Sequence, residues 1–66
     1  MAVLKVIEVL SNSKKSWEDA TAKAVKQASK SIKNIKSVYV QEQSAIVADG
    51  AVVEYRVNLK LTFEVK

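Results

Sequence analysis

The chain has no cysteine, no histidine and no proline, a single glycine, and few aromatics: one Trp, two Tyr and one Phe among 66 residues. Each absence excludes something. Without cysteine there is neither a disulfide nor a thiolate metal site. Without histidine the commonest metal ligand and the commonest general base are both missing. With Gly50 as the one glycine and no proline, there is no linker or low-complexity stretch, and one domain over residues 1–66 is expected. No apolar run reaches the length of a signal-peptide core or a membrane span, so a soluble, cytoplasmic protein is expected. Catalytic triads, facing carboxylate pairs and phosphate-cradling glycines are also lacking, and the expectation is a protein that is not an enzyme.

Smallness has its own consequence. A chain of about 60 residues buries only roughly 60% of the surface its unfolded form exposes. Domains of this size are usually reinforced by disulfides, metals or partner chains, and here partner chains are what is left. The net charge of +4 is a modest pull toward anionic partners, with acids interleaved among the lysines.

What is present reads as β-α-β-β. Val3 to Leu10 is a strand rich in β-branched residues, apolar on both faces, which must therefore be covered on both. Ser11 to Lys15 reads as a connection, Ser16 as a helix N-cap, and Glu18 and Asp19 place negative charge at the positive end of the helix dipole. The helix is expected from Trp17 to Ile35, with Trp17, Ala20, Ala24, Ala28, Ile32 and Ile35 on one face and Lys23, Lys26, Lys30 and Lys33 on the other. A second strand follows over Ser37 to Val47, with Val38 and Val40 on one face and Ser37, Tyr39, Gln41 and Gln43 on the other. Ala48-Asp49-Gly50 is a hairpin turn, because Asp-Gly tolerates the positive φ angles such a turn needs. From Val53 to Val65 apolar and polar residues alternate without a break, a strand far longer than the usual five or six residues. One helix covers one face of such a sheet. The other face and the sheet edges call for further copies of the chain, arranged with closed symmetry.

Single residues divide between packing and binding. Trp17, in the first helical turn, reads as a packing anchor, and Tyr55 as core. Arg56, Asn58 and Lys60 form a polar row flanked by Glu54 and Glu64, suited to charge pairing across an interface or to an anion. The lysine face of the helix has no interleaved aromatic and no arginine to read bases, so a solvated face is expected and nucleic acid is not.

Taken together, several segments resemble the dodecin family across nearly the whole chain. They are Lys5-Val6-Ile7-Glu8-Val9, Ser16-Trp17-Glu18-Asp19-Ala20, Ala28-Ser29-Lys30-Ser31-Ile32, and the run from Asp49-Gly50 through Tyr55-Arg56-Val57-Asn58-Leu59-Lys60-Leu61 to Phe63. The resemblance implies an α+β subunit, a three-stranded antiparallel sheet wrapped on one helix, assembling into a hollow homododecamer. It also implies a non-catalytic protein that stores or quenches a flavin, riboflavin or FMN, at subunit interfaces. In that pattern a Trp early in the second strand stacks on the flavin ring and a Gln in the third bonds its edge. Here those positions are Ser37 and Arg56, and a basic residue suited to a flavin phosphate is replaced by Ser44. Serine cannot stack, and Arg only donates where Gln both donates and accepts. Ser37, Tyr39, Ser44, Arg56 and Asn58 are the ligand-binding candidates. A subgroup of the family that lacks the stacking Trp, the calcium-binding dodecins, is similar to this chain in that respect, which makes calcium the alternative ligand. Calcium takes six to eight oxygen ligands, so a site needs symmetry to gather copies of one acid, with Glu8 or Glu54 as the candidates.

Overall fold

The computed structural model describes residues 2–66. In chain order it has β1 (Val3–Ser13), α1 (Trp17–Ala28), β2 (Ile35–Ala48) and β3 (Ala51–Val65). The strands form one antiparallel sheet in the order β1-β3-β2, so the longest and most regularly alternating strand takes the centre. Along β3 the odd-numbered residues face the helix: Val57, Leu59 and Leu61 are fully buried beneath it. Ala20 and Ala24 meet them, with Val9 and Trp17 at the margin. Small side chains on the helix allow this close approach. The hairpin turn has both its central residues in the left-handed region, Asp49 at φ 53 and Gly50 at φ 77, as a two-residue hairpin of this hand requires.

β1 runs three residues further than its apolar pattern, because its polar end finds partners. Ser11 Oγ donates to the Ala20 carbonyl at 2.9 Å. Ser13 Oγ donates to Asp19 Oδ2 at 2.5 Å and accepts from the Lys15 amide at 2.9 Å. Ser16 caps the helix as expected, its Oγ accepting from the Asp19 amide at 2.9 Å.

The helix is shorter than its periodicity predicts, ending at Ala28 and not Ile35. Ser29 turns its hydroxyl back on the Val25 carbonyl at 2.7 Å, the local competition that makes serine a poor helix interior residue. Tight turns follow, with the Lys30 amide on Gln27 and the Ser31 and Ile32 amides on Ala28. Asn34 then adopts φ 65, and its carbonyl accepts from the Glu64 amide at 2.9 Å. Ile35 therefore opens β2 opposite Phe63.

β2 carries register shifts at Lys36 and Gln41, and β3 carries one near Val53. The bulge at Gln41 changes which side chains share a face. Gln43 pairs with buried Val57 and so moves to the helix side, against simple alternation, while Glu42 and Ser44 move to the far side opposite Asn58 and Arg56.

Candidate functional site

Away from the helix, the sheet presents an open face whose composition follows from the register. From the hairpin end, its rows are Glu54 with Ile46; Asn12, Arg56 and Ser44; Leu10, Asn58 and Glu42; Glu8, Lys60 and Tyr39; and Val6, Thr62 and Ser37. All seven candidates read from the sequence lie on this one face. Ser44 arrives there only through the bulge.

The candidates are not all neighbours. Ser44, Arg56 and Asn58 line a shallow cavity of about 180 Å³ together with Leu10, Glu42 and Gln43. Tyr39, 65% exposed, stands one row further along. Ser37 is three rows from Arg56, roughly 20 Å at about 3.3 Å per residue. Ser37 and Arg56 of one chain therefore cannot grip one ring, and a ligand using both positions has to lie between two subunits. Glu8 faces Lys60 across the strands, whereas Glu54 stands beyond the end of β1 opposite Ile46.

Within the cavity Arg56 Nε donates to Asn12 Oδ1 at 2.9 Å, which fixes the direction of the guanidinium. Asn58 Nδ2 reaches Glu42 Oε1 at only 3.5 Å, and Asn58 Oδ1 is buried without a donor. Such an atom costs free energy until something completes it. Behind the sheet, Trp17 Nε1 donates to the Ser44 carbonyl at 2.8 Å, and its ring meets Tyr55 edge-on with centroids 4.9 Å apart at 75°. Trp17 is thus the packing anchor expected of it, and it holds the strand that carries Ser44.

Leu10, Asn12 and Glu42 are the members that sequence reading missed. Leu10 and Asn12 follow from the register of β1 against β3. Glu42 depends on the bulge, for which the break in alternation over four polar residues, Gln41-Glu42-Gln43-Ser44, is the local signal.

The chemistry of this donor set bears on the two ligands. For a flavin, the row at Ser37 offers Thr62 and Val6 as neighbours and no aromatic face, and Tyr39 is the one exposed ring nearby. For calcium, no three acids come together among the described residues, and Arg56 and Lys60 share the face with Glu8 and Glu42. One subunit alone fits neither ligand.

The fold and the face define a class: a small β-α-β-β chain whose three-stranded antiparallel sheet is covered by the helix on one face and open on the other, with a shallow recess there. The dodecin family model matches residues 3–66. The chain is 36% identical over 66 residues to the calcium dodecin of Mycobacterium tuberculosis, covering 100% of this chain and 93% of that protein. Its backbone is similar to the dodecin structure from Streptomyces coelicolor, with a TM-score of 0.93, 28% identity, and 98% and 93% of the two chains covered. It is also similar to the crystal structure of the calcium-chelating calcium dodecin of M. tuberculosis, with a TM-score of 0.83, 37% identity, and 97% and 91% covered. This chain belongs to the dodecin family.

Proposed function

We propose that the chain is the subunit of a closed homo-oligomer, a homododecamer on the family pattern, that sequesters a small ligand without chemistry upon it. Its candidate ligand positions lie on the helix-distal sheet face where subunits meet: Ser44, Arg56 and Asn58 of one chain with Ser37 and Tyr39 of its neighbour for an organic ligand, and acids brought together by symmetry for a cation. Calcium is the ligand we favour, held by acids that symmetry gathers. Glu54 suits this better than Glu8, whose neighbour across the strands is Lys60. The observation that carries this reading is the row of Val6, Thr62 and Ser37, which gives a flavin ring nothing to stack on. The identity to calcium dodecin supports it.

Flavin is the second reading, favoured by the exposed Tyr39 ring beside the Arg56 cavity. Riboflavin fluorescence and calcium-dependent thermal unfolding separate the two. Calcium is expected to raise the melting temperature while riboflavin fluorescence stays unquenched. Ser37→Trp is expected to install quenching, since one aromatic–base contact contributes about 1–3 kcal/mol, roughly 5- to 150-fold in affinity. Quenching by the unaltered protein, with no response to calcium, reverses the order of the two ligands.

A further inference from the structure

A second recess, which shares Leu10 with the first, lies beside β1 and the helix. It has a volume of about 610 Å³ and is lined by Val9 and Leu10 of β1 and by Lys23, Ala24, Lys26 and Lys30 on and just beyond α1. Val9 and Leu10 are consecutive, so their side chains point to opposite faces of the sheet. The recess lies beside the edge of β1, between that strand and α1 with the turn that follows it. That edge is the outer margin of the sheet, and among the described residues no main-chain group pairs with it.

The rim is basic. Lys23 is held by Asp19 at 3.2 Å, while Lys26 and Lys30 have no carboxylate partner among the described residues. The early end of the helix at Ala28 matters here, because Lys30 sits in the turn that follows and lines the recess with the other two.

We propose that this edge is a docking site for an extended acidic segment of another protein, added to the sheet as a fourth strand beside β1. Main-chain pairing to an open edge supplies affinity, and alternate side chains supply selectivity. On the helix side, successive side chains of the added strand meet Lys23, Lys26 and Lys30. On the other side they follow the outer margin of the open face beside Leu10, which the Arg56 cavity also touches. The fitting sequence therefore alternates acidic and apolar residues. Charge argues against a second copy of this chain as the occupant. The helix-side row of β1 carries Lys5 and no acid, and that of β2 carries Val38, Val40 and Gln43 and no acid. Either edge would set lysine or uncharged groups against the lysines.

Fluorescence anisotropy of a labelled six-residue peptide alternating glutamate and valine, titrated with the purified oligomer, tests the proposal. Binding that weakens with salt is expected. Affinity should fall about tenfold or more, some 1.4 kcal/mol per tenfold, when Lys26→Glu and Lys30→Glu are combined. It should fall similarly when alternate peptide amides are N-methylated. Both lysines are exposed and unpaired, so the double variant should keep its circular dichroism spectrum. The proposal is overturned by no binding, by equal binding to the charge-reversed protein, or by equal binding of a scrambled peptide of the same composition. Hydrogen exchange gives an independent check: outward amides of β1 already protected in the free oligomer would mean that a second copy fills the groove.

Discussion

Asp19 shows how much one short side chain can organise. Ser13 donates to its carboxylate, Lys23 pairs with it at 3.2 Å, and its own amide is capped by Ser16. The Ser13 hydrogen bond, then Lys23, hold the Asp19 carboxyl below its ordinary value of 3.8. A carboxyl lowered on folding stabilises the fold above its unfolded pKa, and that contribution disappears as pH falls through the lowered one. Asp19→Asn is therefore expected to lower the melting temperature at pH 5 to 7, with the difference from the unaltered protein shrinking below about pH 3.8. A difference independent of pH would assign the effect to packing. Trp17 makes a similar case for orientation. Trp17→Phe keeps a ring against Tyr55 but loses the bond to the Ser44 carbonyl, and denaturant unfolding should show a loss of about 0.5–1.5 kcal/mol.

At the scale of elements, the hairpin and β3 carry the fold. Both turn residues have positive φ, and a side chain added at Gly50 would meet nothing within 4 Å. Gly50→Val therefore isolates backbone strain from crowding, and a loss of about 1–2 kcal/mol is expected in equilibrium unfolding. β3 was legible in the sequence because its alternation coincides with burial: Val57, Leu59 and Leu61 are fully covered and Arg56 and Lys60 are not. The helix start was legible for a similar reason, since Ser16 caps by a local hydrogen bond that needs no tertiary context. The helix end was not. Ile32 and Ile35 continue the helical spacing, but Ser29 and Asn34 turn the chain out, and Ile35 finds its cover opposite Phe63. Periodicity alone does not tell a helix face from the first residue of a strand. The face that the candidate residues share was only partly legible. Ser37, Tyr39, Arg56 and Asn58 share a face by parity, whereas the bulge at Gln41 decides that Ser44 and Glu42 join them.

At the scale of the whole molecule, the chain is a ribbon of 51 × 20 × 13 Å in which Val57, Leu59 and Leu61 are the large side chains that are fully buried. Against that core stand Leu4, Val6 and Leu10, 56%, 54% and 66% exposed on the face away from the helix. Val47, Val52 and Val53 are exposed near the hairpin tip. The single chain leaves these apolar side chains uncovered, and the dodecin relatives share the backbone that presents them. Val6→Asp on the open face is expected to abolish assembly, because two subunits would have to bury an unpaired charge; analytical ultracentrifugation reads the outcome as a shift to small species. An isolated subunit with so much apolar surface uncovered is incomplete, and native mass spectrometry of the purified protein tests this directly. A closed assembly of twelve copies is the predicted result. A folded monomer, stable at the same concentration, would contradict it.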